Sequence, residues 1–105
     1  FLFNMNNSVH VGGRTSVPVN EILYLEAKEN YSLIHLCTGN KILVATTLKT
    51  LEERLSSFQF TRVRRGILVS DNFIKKVVNN RVTLRNNLVL MIPRRKLDKF
   101  KYSGE

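Results

Sequence analysis

Between residues 8 and 92 the chain is cut into short apolar runs of strand length, separated by polar or glycine-containing breaks. The breaks are Gly12-Gly13, Lys28-Glu29-Asn30, Thr38-Gly39-Asn40, Asn79-Asn80 and Asn86-Asn87. Runs this short are below the length of an ordinary globular helix. Tight turns between successive runs fold neighbours back on each other, which is the signature of antiparallel pairing. Glycine and asparagine suit those turns because both accept positive φ.

The expected strands are 8–11, 15–19, 22–26, 31–37, 41–45, 67–69, 74–78, 81–85 and 88–92. Pro18 lacks a backbone donor and places its strand at an edge. In 31–37 the apolar residues Leu33, Ile34 and Leu36 mix two faces, so that strand is expected to be covered on both sides. One segment carries helical spacing instead. Thr47 can cap it, Leu48, Leu51 and Leu55 recur on one face, and Glu52, Glu53 and Arg54 fall on the wet side. A basic stretch, 94–102, reads as a short C-terminal helix with Leu97 and Phe100 inward. The sum is a mainly β fold: antiparallel β-sheets, one packed α-helix and a short C-terminal helix.

The length of 105 residues suits one domain, and 43% hydrophobic residues can supply its core. Residues 1–7 read as a linker remnant or frayed terminus, 8–102 as the domain and 103–105 as a tail. A start at Phe1 rather than Met suggests a piece of a longer protein with a regulatory domain upstream. There is no stretch for a membrane span and no secretory signal. The single cysteine, Cys37, lies in an apolar run and reads as a buried thiol in a reducing, cytoplasmic compartment.

Catalytic and metal chemistry find little support. His10 and His35 stand far apart and outside any metal-ligand spacing, and His35 reads as a strand histidine. Glu52 and Glu53 are adjacent on a helix, point apart and read as solvated helix face. Glu26 and Glu29 flank a loop where either can pair with a lysine. No phosphate loop or nucleophile elbow is present. No enzyme activity and no cofactor are expected.

The charge is more informative. Lysine and arginine number 17 against 8 acids, for a formal charge of +9. Such an excess attracts polyanions. It is concentrated beside apolar runs, at Arg62, Arg64 and Arg65 before Ile67 and at Arg94-Arg95-Lys96 after Ile92. Arg62 and Arg64 alternate with Val63, so an extended backbone puts both on one face. A solvated, aggregation-blocking strand edge is one reading. A rigid set of guanidinium groups aimed at phosphates or guanine edges is the other, and its recurrence at two places favours it. The tip Lys28-Glu29-Asn30-Tyr31 is a third candidate. There Asn30 could read an adenine edge, while Tyr31 either packs in the core or meets a phosphate.

The ordered series Ile22-x-Tyr24-Leu25-Glu26-Ala27, Asn30-Tyr31, Thr47-Leu48-Lys49-x-Leu51-Glu52, Phe60-x-Arg62-Val63-x-Arg65, Leu68-Val69, Ile74, Val82-x-Leu84 and Ile92-Pro93-x-Arg95 resembles the LytTR DNA-binding domain, over residues 9–100. The resemblance implies an elongated β fold that places loops in successive major grooves of double-stranded DNA. It also implies an output domain of a bacterial two-component transcriptional regulator, downstream of a receiver domain, with dimers on DNA allowed. By position it implies DNA contacts at Lys28, Asn30 and Tyr31, at Arg64 and Arg65, and at Arg95 with Arg94 and Lys96 beside it. Asn30, Arg65 and Arg95 are the base-reading candidates. Arg62, Arg64, Arg94, Lys96 and Lys99, with Lys28 and Tyr31, are the phosphate or supporting candidates. The family commonly has histidine at Arg64, asparagine at Ser70 and serine at Pro93. An RNA-binding β domain, or a basic protein-interaction module, is the alternative. An RNA reader would display stacking aromatics on an open sheet.

Overall fold

The computed structural model describes residues 7–92. Its strands are β1 (Ser8–Gly12), β2 (Thr15–Pro18), β3 (Ile22–Lys28), β4 (Tyr31–Leu36), β5 (Lys41–Val44), β6 (Phe60–Arg64), β7 (Ile67–Ser70), β8 (Ile74–Val78), β9 (Arg81–Leu84) and β10 (Val89–Met91). One helix, α1 (Leu48–Arg54), follows β5. Pairing is antiparallel throughout the three sheets: β1-β2, β5-β4-β3-β7-β6 and β10-β9-β8. The mainly β architecture read from the sequence is therefore the observed one. The C-terminal helix expected at 94–102 lies outside the described residues.

The five-stranded sheet is the centre, with a hydrophobic core on each face. On one face Leu25, Ile34, Val44 and Leu68 meet Val9, Val11 and Val17 of the first hairpin and Leu48, Leu51 and Leu55 of the helix segment. On the other, Val63, Ile67 and Val69 meet Val82, Leu84, Leu90 and Ile92 of the third sheet and its end. Strand alternation sends Leu68 to one core and Ile67 and Val69 to the other, which is why β7 is buried at every position. The strand covered on both sides is thus β7. In β4, Ser32 and Ile34 are buried while Tyr31 is exposed and Leu33 half-buried.

Two bulges break that alternation. In β3 the register shifts between Ile22 and Tyr24, so Leu23 and Tyr24 both turn to the second core before Leu25 returns to the first. In β6 the shift falls between Arg62 and Arg64, and Val63 is fully buried. The helix forms as its spacing predicts. Thr47 Oγ1 accepts from the Thr50 amide, and Leu48, Leu51 and Leu55 are buried. Asn79 and Asn87 take φ of 56° and 71°, as their turns require. Cys37 is exposed, contrary to the buried thiol expected, because β4 ends at Leu36 and the residue enters the β4–β5 turn.

Candidate nucleic-acid interface

Strand order brings two of the basic segments together. β3 runs outward to Lys28 and returns as β4 from Tyr31, with Glu29 and Asn30 as the turn. β6 runs outward to Arg64 and returns as β7 from Ile67, with Arg65 and Gly66 as the turn. Because β3 pairs with β7, these turns project from the same end of the sheet. The Ala27 amide donates to the Gly66 carbonyl at 2.8 Å and ties one tip to the other. Their centres are two strand spacings apart, roughly 10 Å.

Within this end Asn30, Lys28, Tyr31, Arg64 and Arg65 are all solvent-exposed. Tyr31 is 48% exposed, so it belongs to the surface and not to the core. Glu29 holds φ at 58°, a conformation asparagine or glycine would take more readily. Lys28 Nζ lies 3.5 Å from Glu26, which also meets His35 Nε2 at 3.1 Å. Burial pushes the Glu26 carboxyl up. The His35 hydrogen bond and the Lys28 charge outweigh it and hold the group below its usual value. His35 stacks on Tyr24, with ring centroids 4.1 Å apart. Burial, aided by the Glu26 charge, raises the Tyr24 hydroxyl. His35 is therefore a satisfied strand histidine, as its position implies.

Arg62 differs from its sequence reading. The bulge separates it from Arg64, and it turns inward to α1. Its Nη1 donates to Glu52, while Nε and Nη2 donate to the Arg65 carbonyl at 3.0 and 2.8 Å. With each guanidinium nitrogen making one bond within the protein, Arg62 braces the Arg65 turn. Glu52, expected as solvated helix face, is the anchor of that brace. Bulges and ion pairs of this kind link residues distant in the chain, and alternation alone does not encode them. Arg94, Arg95, Lys96 and Lys99 lie outside the described residues. Among the described residues no group of His, Cys, Asp or Glu is placed to hold a metal, and no helix is long and apolar enough to cross a membrane.

Residues 12–104 match the LytTr DNA-binding domain family. The chain belongs to that family. Its fold is shared with a solved structure, the LytTr DNA-binding domain of a Bacillus cereus protein described as a methyl-accepting/DNA response regulator. The two have a TM-score of 0.73 and 20% identity, over 91% of this chain and 93% of that one. No curated protein matches the sequence. As a member of this family the chain is a DNA-binding domain, and the paired tips are the candidate contact surface.

Proposed function

We propose that this domain is the output module of a transcriptional regulator, and that the paired tips of its five-stranded sheet read double-stranded DNA from the major groove. The observation carrying this reading is the convergence of Asn30 and Arg65 on one sheet end, tied through Ala27 and Gly66. Two tips roughly 10 Å apart fit within a major groove about 12 Å wide. Arg65 is suited to guanine and Asn30 to adenine, while Arg64, Lys28 and Tyr31 sit where the bordering phosphates would pass. A second major groove lies one helical turn away, about 34 Å. In this reading Arg95, with Arg94, Lys96 and Lys99, serves the second groove. An upstream receiver domain supplies the signal, and two copies meet on paired sites. The domain works in the cytoplasm and carries out no catalysis of its own.

Duplexes selected by the protein from a random pool test the proposal. Arg65→Ala should reduce the preference for selected over scrambled duplex by about 1–3 kcal/mol, or roughly 5- to 150-fold. Arg64→Ala should weaken both duplexes alike. Equal loss on both duplexes for the two variants, or tighter binding to single-stranded RNA than to duplex, contradicts the proposal.

A further inference from the structure

We infer that Arg14, on the turn between β1 and β2, holds a DNA phosphate beyond the edge of the groove read by the two tips, adding a contact to the DNA-binding reading above. The turn consists of Gly13 and Arg14, closed by the Gly12–Thr15 pair. It belongs to a separate two-stranded sheet, yet it reaches the same end of the molecule. A Cβ on Gly12 would lie 3.0 Å from Thr46 Oγ1 and 3.2 Å from Val44 Cβ, so the turn packs on the outgoing end of β5. Val44 pairs with Ser32, two residues from the Asn30 tip, and Ser32 Oγ donates to the Thr46 carbonyl at 2.6 Å.

The turn is stiff. Gly13 takes φ of 54°. His10 Nε2 meets the Gly13 carbonyl at 2.6 Å, and Arg54 Nη1 donates to the His10 carbonyl at 3.0 Å. Arg54 also approaches His10 Nδ1 at 3.4 Å. With Nδ1 accepting, the ring proton sits on Nε2 and donates to Gly13, so the contacts agree on one tautomer. Arg54 and His10 are thereby occupied in holding the turn. Arg14 is exposed and, among the described residues, makes no ion pair.

Position assigns the kind of contact. Counting strand spacings along the sheet, the end of β5 is about 7 Å from the Asn30 tip and about 17 Å from the Arg65 tip. The larger distance exceeds the width of a major groove, about 12 Å. With both tips in the groove, Arg14 falls outside it, over the sugar–phosphate chain next to Asn30. There it supplies charge and register but no base choice.

The test uses Arg14→Ala, Arg14→Gln and Arg14→Lys in this chain, with fluorescence anisotropy on selected and scrambled duplexes over a salt series. One lost phosphate contact makes the slope of log affinity against log salt shallower by about 0.9, equivalent to about eightfold weaker binding at 0.1 M salt. Alanine and glutamine should both show this, equally on the two duplexes, and lysine should restore it. Ethylation interference should lose one phosphate at the flank. An unchanged slope in Arg14→Ala, while Arg64→Ala makes it shallower, overturns the role of Arg14 and leaves the DNA reading standing. Loss confined to the selected duplex overturns it too, since a phosphate contact is blind to sequence. Failure of the parent chain to prefer duplex DNA at all is instead a failure of the underlying reading.

Discussion

The guanidinium of Arg62 is occupied inside the protein, and the consequence falls on its neighbour Arg65. Two bonds to the Arg65 carbonyl and one to Glu52 fix the backbone from which the base-reading candidate projects. Glu52 is 43% exposed, so solvent can rehydrate it when Arg62 is removed. Arg62→Ala should therefore cost about 1–2 kcal/mol, lowering Tm by about 4–10 °C in calorimetry. Glu52→Ala should lower Tm as well. If Arg62 instead served a phosphate, Glu52→Ala would free it, leave Tm alone and tighten duplex binding. Glu26 gives a pH-dependent counterpart. Its carboxyl is held below the usual range in the folded protein, so the folded state prefers the ionised form. That stabilisation is present above the ordinary carboxylate pKa, about 4.3, and is lost as pH falls through the lower folded value. The stability gap between the parent and Glu26→Gln should be under about 1 kcal/mol at neutral pH and close as acid is added, as denaturant titrations at several pH values would show.

Turns set what each hairpin presents, and they were the most legible elements in the sequence. Asn79 and Asn87 adopt the positive φ that their side chains allow, and the meander follows from them. The helix was equally legible, because Thr47 and three spaced leucines leave one arrangement that buries them. The Glu29 turn differs, since glutamate pays a steric penalty at φ 58° that asparagine largely avoids. Glu29→Asn should raise stability by about 0.5–1 kcal/mol and, by removing an acid from the tip, tighten duplex binding. Thermal melts and anisotropy on one variant check both, and a lower Tm would mean that Glu29 makes a stabilising contact outweighing its backbone cost. The bulges in β3 and β6 were not legible. A period of two predicts that Arg62 and Arg64 share a surroundings; one extra residue, buried Val63, separates them. The joining of the two tips was likewise hidden, because it depends on β3 pairing with β7 across some forty intervening residues, a choice made by both cores together.

At the scale of the molecule the three sheets are not equally secured. The β8-β9-β10 sheet shares no strand ladder with the central sheet. What joins it to the central sheet is the second core, while the Arg85 amide and Nε donate to the carbonyls of Phe73 at 2.8 Å and Asn72 at 3.0 Å, in the connection from β7 to β8. Burial therefore supplies most of what holds it, and burial is lost when a core side chain is cut back. Leu84, fully buried in that core, is the test position. Leu84→Ala should cost about 2–5 kcal/mol. The loss should fall first on amides of β9 and β10 in native-state hydrogen exchange, while β3, β4 and β7 keep their protection, because sub-global opening follows the least-secured unit. The same sheet carries the chain from Met91 and Ile92 into Arg94 and Arg95. Loosening it should therefore weaken the proposed second-groove contacts while sparing those of the two tips. In footprints of Leu84→Ala, protection should shrink at one end of the site and persist at the other. Uniform loss of exchange protection across all three sheets would show instead that the two cores open as one unit, and the site would then fail as a whole.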